Sequence, residues 1–152
     1  MLVPCEDPEE FETFYSNPEI RSEFVDAENP AWNNFSTKEI VSHPMNIAFF
    51  VESGMEKVGF FCFEGLHNRI FQSHCGFLKK FRGGPALKSA KEMADLCFNQ
   101  LGFKQIITEV RDSQKGLEWF VKRVGYRYIK SIDRSHVPEK IKIYLLGNYY
   151  GI

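Results

Sequence analysis

Between Arg69 and Val110 the hydrophobic period changes twice, and that change restricts the chain to few folds. Arg69 to Leu78 alternates with the period of a strand, setting Ile70, Gln72, His74 and Gly76 on one face and Phe71, Ser73, Cys75 and Phe77 on the other. After a basic, glycine-rich turn (Phe81, Arg82, Gly83, Gly84), Leu87, Ala90, Ala94, Cys97 and Leu101 fall at helical spacing, and Gly102 is the natural stop. Lys104 to Val110 is strand-like again. Strand, helix and strand in this order form a crossover, which implies a parallel pair.

The flanking segments complete an α/β expectation. Asn46 to Val51 is a short apolar run, Glu52-Ser53-Gly54 a turn, and Lys57 to Phe63 is apolar on both faces, as a central strand is. With Gly65 to Asn68 as a turn, these runs and Arg69 to Leu78 form a three-stranded antiparallel meander. Ser113 to Val124 is a second amphipathic helix ended by Gly125, and Tyr126 to Ile132 and Lys140 to Leu146 are the last strands, joined by a loop with His136 and Pro138. Upstream, Asp7-Pro8-Glu9-Glu10 and Asn17-Pro18-Glu19 are helix starts, followed by Phe11, Phe14 and Tyr15 and by Ile20 and Phe24. Residues 26–36, with Asn29, Pro30, Asn33 and Asn34, read as a loop carrying Trp32 and Phe35. The expected architecture is one mixed antiparallel and parallel sheet flanked by helices (α+β in connectivity), in a single domain over 1–152, with Lys57 to Phe63 at its centre. Where a meander strand and the crossover-linked strand diverge, their backbone groups cannot all pair. The gap is a slot in which an extended ligand adds itself like a strand.

Bulk properties exclude several functions. Lys plus Arg number 19 against 20 Asp plus Glu, so the surplus positive charge of a general nucleic-acid binder is missing. No apolar run approaches the roughly 20 residues of a membrane helix, and no basic start precedes an apolar stretch. The four cysteines, Cys5, Cys62, Cys75 and Cys97, form no CxxC pair, and three of them sit in apolar runs, which points to a reducing cytoplasm. Four scattered histidines without HxH or HxxxH spacing make a metal site improbable.

The turn at Gly83-Gly84 suits a phosphate, because consecutive glycines let backbone N–H groups converge and the helix start adds partial positive charge. A tight connection alone explains the same glycines. Lys79, Lys80 and Arg82 beside it are either surface charge or phosphate contacts.

Together, order and residues resemble the GNAT superfamily of N-acetyltransferases from about Ile47 to Ile132. That family's Q/R-x-x-G-x-G/A pattern, which holds the diphosphate of acetyl-coenzyme A (acetyl-CoA), aligns with Arg82-Gly83-Gly84-Pro85-Ala86-Leu87, and its helix-ending Gly-Phe pair with Gly125-Tyr126. The resemblance implies a GNAT-like fold, diphosphate contacts from Arg82, Gly83, Gly84, Ala86 and Leu87, and backbone pairing of Phe77, Leu78 and Lys79 with the pantetheine arm. The stretch HCGFLKKFRGG is similar to GNAT-like proteins encoded by bacteriophages. Two residues depart from the pattern. Pro85 replaces a glycine and deletes one N–H donor, and Leu87 stands where the family has glycine or alanine.

Acetyl transfer needs a base for the amine and an acid for the leaving thiolate. The helix position that often carries the family's tyrosine is Val121, with Phe120 beside it, so Tyr126 or Tyr128 of the next strand are the substitutes. For the base, His74 shares a strand face with Gln72, and Glu109 lies among Ile106, Ile107 and Val110, where a carboxylate's pKa is expected to rise. A satisfied structural histidine and an edge-strand surface charge are the plainer alternatives. Two functions follow from the resemblance: transfer of acetyl from acetyl-CoA to an amine of a small molecule or protein, or a catalytically inactive GNAT-fold protein that acts as a binding or structural subunit, in a phage particle or against a host protein.

Overall fold

The computed structural model describes residues 1–22, 37–135 and 137–147. Its N-terminal part holds strand β1 (Leu2–Pro4) and helices α1 (Pro8–Tyr15), α2 (Pro18–Arg21) and α3 (Thr37–Ser42). The starts of α1 and α2 are those read from the sequence: the Asp7 carboxylate accepts the Glu9 N–H at 2.9 Å and the Asn17 side-chain oxygen accepts the Glu19 N–H at 3.0 Å. The meander is β2 (Ile47–Ser53), β3 (Glu56–His67) and β4 (Ile70–Phe77), followed by a short 3₁₀ turn at Lys79–Phe81. Helix α4 (Gly84–Asn99), β5 (Gln105–Arg111), α5 (Lys115–Val124), β6 (Arg127–Ile132) and β7 (Ile141–Gly147) complete the order. Phe24, the loop with Trp32 and Phe35, and His136 lie outside the described residues.

Among the described residues the strands form one seven-stranded sheet in the order β1-β2-β3-β4-β5-β7-β6. Every neighbouring pair is antiparallel except β4 and β5, the parallel pair expected of the crossover. The mixed α/β architecture is therefore as read from the hydrophobic periods. Two details differ, and a third, the order of the last strands, has no counterpart in the sequence reading. Lys57 to Phe63 is third in the order, and β4 holds the middle, because β1 adds outside β2 while β5, β7 and β6 all add beyond β4. Strand β3 runs on to His67, so the turn shrinks to Asn68 and Arg69, both in the left-handed region at φ 46° and 66°. And β7 lies between β5 and β6, which makes β6 an edge.

Register assigns the aromatic residues to two layers. Phe60 pairs with Phe50 on β2 and Gly76 on β4, and it meets Phe11 edge-on at a centroid distance of 5.0 Å. That face lies under α1. On the other face Phe71 stacks on Phe103 at 3.7 Å, Phe61 meets Phe77 at 5.5 Å, and Phe77 meets Phe120 of α5 at 5.9 Å. Ala86, Ala90, Met93 and Cys97 form the buried stripe of α4, close to the helical spacing in the sequence. Gly59 is demanded by packing, since a Cβ there would collide with the Phe77 ring. No helix among the described residues is long and apolar enough to cross a membrane.

Candidate active site

Pairing between β4 and β5 stops after three residue pairs, Ile70↔Gln105, Phe71↔Ile106 and Gln72↔Ile107. Beyond them β4 stays paired to β3 as far as Phe77↔Gly59, and β5 to β7 as far as Arg111↔Ile141. The two strands thus separate from Ser73 and Thr108 onward, which is the slot expected from mixed pairing. At its apex the Thr108 hydroxyl donates to the Ser73 carbonyl at 3.4 Å. A cavity of about 680 Å³ opens here, walled by Gln72 to Phe77, by Arg82, Gly83 and Ala86, by Thr108, Glu109 and Arg111, and by residues of α5 from its start to Phe120.

The glycine turn borders this cavity. Gly83 has φ 84° and ψ −132°, a conformation held almost only by glycine, and a Cβ on Gly83 or Gly84 would meet no atom within 4 Å. The first helical bond is the Leu87 N–H to the Gly83 carbonyl at 2.9 Å. Of the donors at the helix start, Leu87 is therefore engaged, Pro85 has none, and the N–H groups of Gly84 and Ala86 have no carbonyl within the helix to take. Leu78 donates its N–H to the Val58 carbonyl at 2.9 Å, and the Lys79 N–H goes to the Glu19 carboxylate at 3.1 Å. The Arg82 guanidinium bonds the carbonyls of Phe77 at 3.1 Å and Glu19 at 3.3 Å, tying the turn to α2, and Lys80 pairs with Glu56 at 2.6 Å. Among the cofactor residues read from the sequence, Phe77, Arg82, Gly83 and Ala86 line the cavity, whereas Leu78, Lys79, Gly84 and Leu87 stand outside its wall.

His74 and Glu109 line the same cavity, and each has a partner that sequence reasoning did not supply. His74 Nε2 lies 2.6 Å from the Glu64 carboxylate of β3, a hydrogen bond that holds the Glu64 carboxyl below its ordinary value. Glu109 is not isolated among apolar neighbours: the Arg134 guanidinium donates to its carboxylate. Tyr126 stands outside the wall, yet its hydroxyl lies 3.3 Å from Ser73 Oγ, which is inside it. Burial pushes the Tyr126 phenol well above its ordinary value, so it stays protonated. Tyr128, the other substitute, is 52% exposed and bonds Ser131 at 2.9 Å. The sequence signal for Ser73 and Thr108 is a lone hydroxyl on an otherwise apolar strand face. Arg111, Gln114 and Trp119 of the wall have no such signal.

Because successive strand residues face opposite sides, the slot places two different chemistries across the sheet. Ser73, with Tyr126, and Thr108 face the α4 and α5 side. His74 and Glu109 face the other. Among the described residues no group of three or more His, Cys, Asp or Glu is placed to hold a metal ion.

This backbone is similar to solved structures of the spermidine N-acetyltransferase SpeG from Vibrio cholerae. A mutant of that protein aligns with a TM-score of 0.74 at 11% identity, covering 96% of this chain and 94% of the other. A chimera of it with hSSAT gives 0.73 at 11% identity over 96% and 94%. Its dodecameric structure in an intermediate state gives 0.72 at 10% identity over 96% and 92%. No protein-family model and no curated protein matches the sequence. At such identities the likeness is one of fold.

Proposed function

We propose that this GNAT-fold chain is an N-acetyltransferase that takes acetyl from acetyl-CoA to an amine of a small molecule or a protein. The observation that carries the proposal is the slot: an imidazole faces one side of the diverging strands and a half-buried tyrosine, through Ser73, the other. A thioester threaded between them meets a proton acceptor on the amine's side and a proton donor on the thiolate's side. The residues present suit acetyl-CoA. The separated strand edges offer main-chain pairing to an extended arm, and the open space at Gly83 and Gly84 lets a diphosphate approach the N–H groups of Gly84 and Ala86. Arg82 serves by shaping the turn.

Amine attack forms the C–N bond and breaks the C–S bond. His74 is assigned the amine proton, and Tyr126 the proton given to the thiolate through the Ser73 hydroxyl. Burial of Tyr126 suits a donor, because it keeps the phenol protonated at neutral pH. Since the structural neighbours are spermidine N-acetyltransferases, polyamines are the first acceptors to try. The four free cysteines favour a reducing cytoplasm as the setting.

Calorimetric titration with acetyl-CoA, followed by thiol release with spermidine and a panel of primary amines, tests the proposal. Binding and turnover are expected, and Tyr126→Phe should lower kcat by about 100-fold with little change in affinity for acetyl-CoA. No heat on titration would reject the enzyme and leave the fold as a binding scaffold.

A further inference from the structure

We propose that Glu64 is the positioning residue of His74, and that the two work as one carboxylate–imidazole pair that takes the proton of the acceptor amine. This inference rests on the acetyltransferase reading above. Glu64 stands opposite Gln72 on the antiparallel neighbour β3, and His74 is two residues along on the same face, so the two side chains are diagonal neighbours. Their contact is short, 2.6 Å from Nε2 to the carboxylate, and both are sheltered, with 19% and 31% of the side chains exposed. Only His74 belongs to the cavity wall, so Glu64 acts through it.

The contact determines the tautomer. An ionised carboxylate only accepts, and hydrogen bonding from His74 favours the ionised form of Glu64. Nε2 therefore carries the hydrogen, and in the neutral ring Nδ1 carries the lone pair. As the C–N bond forms, the amine proton passes to Nδ1, and the imidazolium is stabilised by the carboxylate at Nε2. Water takes that proton when the amide leaves. The charged groups of the wall are Arg82 of the glycine turn and Glu109 and Arg111 of β5, with Arg134 reaching Glu109 from the loop after β6. The wall's imidazole, His74, is assigned the base role, and Arg134 donates to the Glu109 carboxylate.

Glu64→Gln and His74→Gln, measured beside the unmodified protein, test the pair. Both variants should bind acetyl-CoA as tightly as the parent, since neither residue touches the glycine turn. Turnover should fall about 100-fold in His74→Gln and about ten-fold in Glu64→Gln. The acidic limb of kcat/KM against pH should move to lower pH in Glu64→Gln and vanish in His74→Gln. Nitrogen-15 spectra of the His74 ring should report the Nε2–H tautomer in the parent and a mixture in Glu64→Gln, independently of turnover. An unshifted limb or an unchanged tautomer in Glu64→Gln would overturn the pair while leaving the acetyltransferase standing. Full activity of His74→Gln would also overturn it. A parent that neither binds nor turns over acetyl-CoA would overturn both.

Discussion

Replacing Gly84 separates the stability of the turn from its use as an anion site. Gly84 is the first residue of α4, its φ is not positive, and a Cβ built on it meets nothing within 4 Å. A side chain there strains nothing, and the loss of glycine's freedom in the unfolded chain adds about 0.4–1 kcal/mol of stability. Binding behaves differently. With Leu87 bonded to Gly83 and Pro85 lacking an N–H, only Gly84 and Ala86 remain as donors of the first turn. A hydrogen bond to a charged oxygen contributes about 1.5–3 kcal/mol. Gly84→Leu, whose side chain keeps the phosphate from one of these donors, should weaken acetyl-CoA binding by roughly ten- to 150-fold. Calorimetric titration gives Kd, and a thermal melt on the same sample gives Tm, which should hold or rise slightly. Gly83→Ala is the contrast, since φ 84° with ψ −132° strains any L side chain by about 1–3 kcal/mol, so Tm and affinity should fall together. If Gly84→Leu binds acetyl-CoA as tightly as the parent, the diphosphate does not lie at this turn, and the placement is refuted.

Gly59→Ala should destabilise the fold by about 1–3 kcal/mol, because the new Cβ overlaps the Phe77 ring across the strand pair. A urea midpoint equal to the parent's would contradict that packing. Burial pushes the Cys62 and Cys97 thiols up to about 12 from an ordinary 9.0. With the folded values above the unfolded one, their contribution is whole below pH 9 and is lost as pH rises toward 12. Urea midpoints should fall over that window, and less steeply in Cys62→Ala/Cys97→Ala; a flat parent profile would count against it. Lys142 and then Lys122 hold the Glu118 carboxyl down at about 2, so its contribution is present above about 4.5 and fades as pH falls toward 2. Glu118→Gln should therefore melt lower than the parent at pH 7, with the gap closing near pH 2, and equal melting at pH 7 would dismiss the cluster.

The sequence alone determined the kind and order of most elements, because period and stop signals belong to neighbouring residues. The alternation of Ile70 to Phe77, the helical period that holds Ala90 and Cys97 and the left-handed cap at Gly125 each depend on chain within one or two turns. The buried stripe also takes Ala86 and Met93, where the sequence spacing had Leu87 and Ala94. The parallel pair and its slot were legible for the same reason, since a strand–helix–strand crossover leaves no other arrangement. Strand β1, three residues long, is too short to show a period, and the insertion of β7 between β5 and β6 has no local signal. Tertiary structure alone decided the partners. Glu64 and His74 are 10 residues apart, Arg134 and Glu109 are 25 apart, and Tyr126 and Ser73 are 53 apart. Each contact exists only because sheet register brings two distant strands or loops to the same face. A strand's own period tells which face a side chain takes, and register with its neighbours tells what it meets there. That is why His74 was visible as a candidate, while the carboxylate that orients it was not.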